Sequence, residues 1–135
     1  MDLTILKIII AILLGGIIGV EREEMKKPAG LRTHMLVSMG SCLFALTSAS
    51  FSADPARIAS GIVTGIGFIG AGCIIANKNK IEGISTAASL WVTGAIGLSV
   101  GISKEIYGFI LPTIAAILVV IILHAGLCVK KHLRK

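Results

Sequence analysis

The chain has 135 residues and a formal net charge of +6, and 55% of its residues are hydrophobic whereas 15% are charged. A water-soluble domain of this size could not bury so much apolar surface, so the composition argues against a soluble enzyme and predicts an integral membrane protein. Basic residues beside membrane helices also contact anionic lipid headgroups, so the charge requires no nucleic-acid partner.

Five apolar stretches, at residues 3–20, 34–52, 58–76, 84–102 and 106–129, are separated by short polar breaks. Each approaches the roughly 20 residues that cross a bilayer as a helix. We therefore predict an all-α, polytopic bundle of about five transmembrane helices, with one domain over residues 1–129 and a basic cytoplasmic tail at 130–135. Charged residues instead of a cleavage site follow the first stretch, so we expect a retained helix rather than a signal peptide.

Helix boundaries and orientation also follow from sequence signals. Asp54 directly precedes Pro55, which predicts that the third helix begins there with Asp54 as its cap. With five crossings, ten Lys and Arg residues lie on one side and three on the other. The positive-inside rule then places the C-terminus in the cytoplasm and the N-terminus outside.

Small and hydroxyl side chains predict how the helices pack. They form stripes on the second helix (Ser38, Ser41, Ala45, Ser48, Ser52) and on the fourth (Ser85, Ser89, Thr93, Gly97, with Thr86 alongside), so both stripes should face other helices. The third helix is small nearly all round, which predicts a central position. The fifth is aliphatic and should face lipid. The spacing of Gly15 and Gly19 allows close packing within the chain, which we favour, or a dimer seam.

Two groups of less usual residues have simple interpretations. Lys7 lies near the outer end of its helix, where we expect it to extend outward to the interface, although a buried partner is the alternative. Cys42, Cys73 and Cys128 are far apart and lack any metal-ligand spacing, so they indicate packing.

The charged residues of interest cluster at the cytoplasmic side: Glu21, Arg22, Glu23, Arg32 and Glu82, with His34 at the start of the second helix. Either a salt-bridge network that holds the loop or a ligand or partner site fits this grouping. On the other side, Asp54 and Arg57 are three residues apart, which favours helix capping. No acid lies at the expected midplane, and no nucleophile has a base nearby, so we expect no enzymatic activity and no cofactor.

Gly65, Gly67 and Gly70 match the G-x-G-x-x-G pattern of dinucleotide-binding proteins, but no strand precedes them. Close helix packing explains them, and a loosened helix that exposes carbonyls to a cavity is the alternative. The residues assigned here to packing or to a cavity lining are Gly15, Gly19, Gly61, Gly65, Gly67, Gly70, Gly72, Ser85, Thr86, Ser89 and Trp91.

Five motifs in matching order resemble the membrane domain of the MgtC/SapB family over roughly residues 10 to 110. They are G-x-x-G-x-E-R-E ending at Glu23, K-P-A-G-L-R-T-H ending at His34, D-P-x-R-I-A from Asp54, the glycine run 65–72, and E-G-I-S-T-A-A-S-L-W from Glu82 to Trp91. Many members of the family carry an ACT-like domain after the last helix, whereas only a basic tail follows the fifth apolar stretch here, so we expect the shorter, membrane-only form.

The resemblance implies a multi-pass protein of the bacterial inner membrane that is involved in magnesium homeostasis, adaptation to low magnesium and virulence. It implies a regulatory role, and inhibition of the F-type ATP synthase is proposed for the best-known member. It also makes Glu21, Arg22, Glu23, Arg32, Asp54 and Arg57 the first candidates for function.

Two functions follow as hypotheses. The first is a non-enzymatic regulator that binds another membrane complex, with membrane lipids and a homodimer as further partners. The alternative is a transporter or channel for Mg²⁺ or another ion, in which carbonyls and hydroxyls line the path: Ser38, Ser41, Thr64, Ser85, Thr86 and Ser89.

Overall fold

Five α-helices and a short β-ribbon make up the fold in a computed structural model, which describes residues 3–48, 55–77 and 80–132. The helices are α1 (Leu3–Glu24), α2 (Leu31–Ser48), α3 (Pro55–Gly72), α4 (Ile84–Ile102) and α5 (Ile110–His132). Strands β1 (Ile75–Asn77) and β2 (Lys80–Glu82) join α3 to α4, and the 3-10 helix Ile106–Phe109 leads into α5.

Three segments of the described chain are long and apolar enough to cross a membrane: Leu3–Glu24, Ile84–Ile102 and Ile106–Gly126. The segment Ala56–Gly72 is also apolar but shorter. Many of the large apolar side chains of α1 and α5 are exposed, as on helices that have lipid for solvent. The predicted all-α membrane bundle is confirmed.

Helix α4 lies at the centre of the bundle, because it contacts each of the other four helices. Its buried side is rich in glycine and hydroxyl residues, among them Thr86, Ser89, Thr93 and Gly97. Leu14, Ile18, Cys42, Ile96 and Val100 form the main apolar core between α1, α2 and α4.

The prediction of a central α3 is wrong. Of residues 56–72, three are buried, Ile62, Ile66 and Gly70, and the helix packs against α2 and α4 at one side of the bundle. Small residues allow close approach from every direction, so their distribution around α3 could not show which side has a neighbour. The fifth helix is largely exposed, as expected.

The connection between α3 and α4 is more ordered than a polar break. Ile75 pairs with Glu82 and Asn77 with Lys80 in an antiparallel ribbon. Gly83 follows the ribbon and is the N-cap residue of α4, with φ 89°, and a Cβ there would collide with the carbonyl of Cys73. Only glycine fits this close approach, which places the start of α4 directly beside the end of α3.

Candidate functional site

A buried polar cluster lies where the end of α1 meets the first turns of α2 and α4. Glu21 is 7% exposed and Arg22 is 2% exposed. The guanidinium of Arg22 contacts Glu21 Oε2 through both Nε and Nη2, so the two charges are paired within the protein. Burial of an ion pair is costly, and these mutual contacts offset that cost.

His34 connects α2 to α4 within this cluster. Its side chain is fully buried; Nδ1 lies 2.9 Å from the Gly30 carbonyl oxygen and Nε2 lies 3.0 Å from Ser89 Oγ. The Ser89 hydroxyl is also 2.8 Å from the carbonyl oxygen of Thr86. Arg22 and Glu21 lie close enough to His34 for their charges to interact electrostatically with its imidazole ring.

Two states of this network differ by one proton on His34 and by the direction of the Ser89 hydroxyl. A carbonyl only accepts, so Nδ1 of His34 donates to Gly30. When the Ser89 hydroxyl donates to Thr86, Nε2 must also donate and the ring is charged; when that hydroxyl turns to Nε2, the ring is neutral. Proton gain by His34 would therefore reorient Ser89 on α4.

Three buried side-chain atoms have no hydrogen-bond partner among the described residues: Glu21 Oε1, Ser38 Oγ and Thr86 Oγ1. Buried polar atoms are normally satisfied, so such atoms indicate where a water or a small polar ligand can bind. Two of them belong to the cluster around His34, and Ser38 lies one helical turn beyond His34 on α2.

Two predicted packing glycines bring α1 against this site. A Cβ on Gly15 would lie 2.5 Å from the carbonyl oxygen of His34, and one on Gly19 would lie 2.7 Å from the Cα of Leu31. Any larger residue would push α1 away from α2. The pair therefore packs within one chain, the interpretation that the sequence favoured.

The remaining charged candidates lie apart from the buried cluster. Glu23 is exposed and its Oε2 accepts the backbone N–H of Leu31 at 2.9 Å, so it caps α2. Glu82 is exposed and pairs with Lys80 on the ribbon. Arg32 and Arg57 are exposed, and Asp54 lies outside the described residues. The structure thus brings together Glu21, Arg22 and His34 of the predicted polar set.

The other small and hydroxyl candidates divide by burial. Thr86 and Ser89 are buried in the cluster, Ser85 is exposed, and Trp91 is half exposed. Gly70 packs against Ala87. The other four candidate glycines of α3 have open space where a Cβ would stand: Gly61, Gly65, Gly67 and Gly72. These four do not pack against another part of the described chain, and two of them, Gly61 and Gly65, line a groove beside α2.

Lys7 is the polar residue whose position the sequence analysis missed. It is 9% exposed and its Nζ donates to the carbonyl oxygen of Gly101 at 3.1 Å, so the expectation that it extends outward is wrong. Gly101 lies in the last turn of α4, whose carbonyls lack partners within the helix. The helical period could have predicted this burial, since Lys7 lies on the same stripe of α1 as the buried Ala11, Leu14 and Ile18.

No group of three or more His, Cys, Asp or Glu residues within the described ranges is arranged to hold a metal ion. The cluster instead offers one ion pair, one imidazole and hydroxyls. Such a set can bind water or a polar group through its unpartnered oxygens.

Comparison with known proteins agrees with the sequence motifs. The family model described as MgtC family matches residues 8–132, which is most of the chain. The chain belongs to the MgtC family. The predicted resemblance is therefore confirmed, and the buried cluster combines three of its motifs, those that contain Glu21, His34 and Ser89.

Several named proteins are similar to this MgtC family chain. "Putative magnesium transporter YhiD" of Escherichia coli K12 is 47% identical over 107 residues, which cover 72% of this chain and 50% of that protein. "Protein MgtC" of Salmonella typhimurium LT2 is 46% identical over 101 residues, which cover 74% of this chain and 44% of that protein. "Protein MgtC" of Brucella abortus is 46% identical over 93 residues. The chain spans half or less of the length of these relatives. No solved structure gave a significant match.

Proposed function

We propose that this MgtC family protein acts in magnesium homeostasis as a non-enzymatic regulator that binds another membrane protein complex. The name of the Escherichia coli relative connects this type of chain with magnesium. The observation that carries a binding role is the outer face of α3, which is formed by Ser60, Thr64, Gly67 and Ala71. All four residues are exposed.

Contact with lipid alone does not explain why this face of α3 consists of small residues. On α5 the exposed positions are large and aliphatic, such as Ile114, Ile117, Leu118 and Ile121. On the stripe of α3 formed by Ser60, Thr64, Gly67 and Ala71 they are small, although the large Phe68 is exposed beside it, and a Cβ on Gly67 would meet nothing within 4 Å. Small residues on a membrane helix allow the backbone of a second helix to approach closely, so this face suits a transmembrane helix of a partner.

The proposed setting is the bacterial inner membrane, crossed five times with the C-terminus in the cytoplasm. Charge supports this orientation, because ten of the 13 Lys and Arg residues lie on the proposed cytoplasmic side. The buried cluster that contains His34 then lies at the cytoplasmic end of the bundle.

Photo-cross-linking from position 67 in bacterial membranes tests the binding role, with the F-type ATP synthase as the first partner to examine by mass spectrometry. We expect one reproducible adduct, and we expect Gly67→Leu to abolish co-purification of the same partner from detergent. Gly65→Leu is the matched control, since it makes the same change on the other side of α3, also in open space. Recovery of only a second copy, or equal effects of both variants, would reject the proposal.

Ion transport is the second candidate, and the three unpartnered buried polar atoms favour it. Glu21 Oε1, Ser38 Oγ and Thr86 Oγ1 offer oxygen ligands of the type that Mg²⁺ prefers. Uptake of Mg²⁺ into liposomes that contain the purified chain, with Glu21→Ala and Asp54→Ala as comparisons, tests this function. Uptake that depends on Glu21 would support transport, whereas flat traces for every divalent ion would reject it.

A further inference from the structure

An apolar groove of about 730 Å³ runs between α2 and α3 on the outside of the bundle. Leu36 and Phe44 of α2 form one wall, and their side chains are 61% and 60% exposed. Gly61 and Gly65 of α3 lie opposite and leave the groove wide, because a Cβ at either position would meet no atom within 4 Å. The groove therefore presents apolar surface to whatever surrounds the protein.

The length of the groove limits its occupant. On α2 it extends from Thr33 to Phe44, which is about 16 Å at 1.5 Å per residue. On α3 it extends from Ile58 to Ile69, which lie near the two ends of that helix, so the groove occupies the middle of the membrane-spanning part of the bundle. A partner transmembrane helix would need a broad face and contact over most of the roughly 30 Å of hydrocarbon, whereas an acyl chain is narrow and fits a groove of this length.

A positive charge lies at the end of the groove near the first turn of α2. Arg32 is exposed, and its side chain has no hydrogen-bond or ion-pair partner among the residues that the structure describes. It lies one helical turn before Leu36, which forms the groove wall. An anionic headgroup whose acyl chain fills the groove would therefore have its phosphate beside this guanidinium.

We propose that this groove is a binding site for an anionic phospholipid, with one acyl chain between α2 and α3 and the phosphate bound by Arg32. Complementarity of charge selects a lipid over other apolar occupants, since basic pockets between membrane helices bind anionic headgroups. The site is separate from the outer face of α3, so its occupation leaves that face available.

Lipid titration of the delipidated protein, followed by native mass spectrometry, tests the acyl-chain part of the site. We expect the wild type to retain one phosphatidylglycerol and Gly65→Leu to weaken its binding about tenfold. Gly67→Leu is the matched control because it adds the same side chain in open space on the same helix, outside the groove, and it should bind like the wild type. Equal binding by both variants would overturn the proposal.

The headgroup part is tested with the same measurement. Wild type should prefer phosphatidylglycerol to phosphatidylcholine, and Arg32→Gln should remove that preference. Lys26→Gln should keep it, because this exposed residue loses the same charge but lies in the loop between α1 and α2, away from the helical stripe that leads from Arg32 to Leu36. Glycerol phosphate, which has the headgroup without acyl chains, should not bind.

Three results would overturn the proposal. Glycerol phosphate that binds as well as the lipid would indicate a free phosphate site. A preference that depends on Arg57 rather than Arg32 would place the lipid in the opposite leaflet. Loss of a cross-linked dimer in Gly65→Leu, with lipid binding unchanged, would assign the groove to a second copy of the chain.

Discussion

Lys7 is held inside the bundle by a hydrogen bond that its Nζ donates to the carbonyl oxygen of Gly101. The positive charge lies at the C-terminal end of α4, where the helix dipole favours it. The free carbonyl and the dipole together account for a lysine on a stripe that is otherwise apolar.

Burial of Lys7 predicts that its amine is protected from acylation. In the folded protein in detergent, we expect Lys7 to react with an amine-selective reagent at least about tenfold more slowly than the exposed Lys104, because reaction requires local opening. Peptide mapping by mass spectrometry measures both rates, and denatured protein provides the control in which they become similar. Equal rates in the folded protein would mean that Lys7 extends outward after all.

The ion pair of Glu21 and Arg22 predicts non-additive effects of substitution. Glu21→Met should lower stability by about 3–5 kcal/mol, because it leaves the buried guanidinium without a counter-charge. The double variant Glu21→Met with Arg22→Met should recover most of that loss, since two apolar side chains need no partner. Thermal unfolding in detergent measures both. A double variant that is less stable than Glu21→Met alone would contradict the pairing.

Close contact between α2 and α4 rests on Gly97. A Cβ there would collide with the backbone carbonyl of Ser38, which belongs to α2 and cannot move independently of its helix. Gly97→Ala should therefore destabilise the protein by about 1–3 kcal/mol. Gly67→Ala is the matched control, because it makes the same change of helix propensity where a Cβ has open space. Similar stabilities of the two variants would show that α2 and α4 do not pack as described.

Helix positions along the chain could be predicted from the sequence more closely than helix neighbours. The range predicted for α4, 84–102, agrees with Ile84–Ile102, and α3 begins at Pro55 as its capping signal indicated. Charged residues made the predicted end of the first helix too early. The apolar stretch ends at residue 20, but α1 continues through Glu21 and Arg22 to Glu24, because the pairing of these two charges lets the helix extend past the apolar residues. The ribbon was missed since its three-residue strands are too short to show a period.

The candidate site was predicted in composition but not in arrangement. Glu21, Arg22 and His34 were predicted as members of a polar cluster at the cytoplasmic side, and the structure brings them together beside Thr86 and Ser89. Glu23 and Glu82 were grouped with them because they lie at helix ends on the same predicted side of the membrane, yet each binds elsewhere, at the N-terminus of α2 and at Lys80. Burial separates the two groups, and burial depends on contacts between helices that a single sequence does not specify.

At the scale of the whole molecule, the bundle combines a central α4 with an α3 that has two open sides. One side faces the groove beside α2 and the other is the small outer face, and both are exposed. A lipid and a protein partner could therefore be bound at the same time. Substitutions at position 65 or 67 separate the two, because each position belongs to one side.

The predicted orientation of the whole chain is tested by fusing reporters to its loops and to its C-terminus. Ten Lys and Arg residues against three should hold the Lys26 loop and the C-terminus in the cytoplasm. Green fluorescent protein fused after residue 135 should therefore fluoresce, and alkaline phosphatase there should be inactive. Alkaline phosphatase inserted at Lys104 should be active, since an odd number of crossings separates that loop from the C-terminus. A fluorescent fusion at both positions would mean that α5 does not cross the membrane, although 106–126 is apolar and long enough to do so.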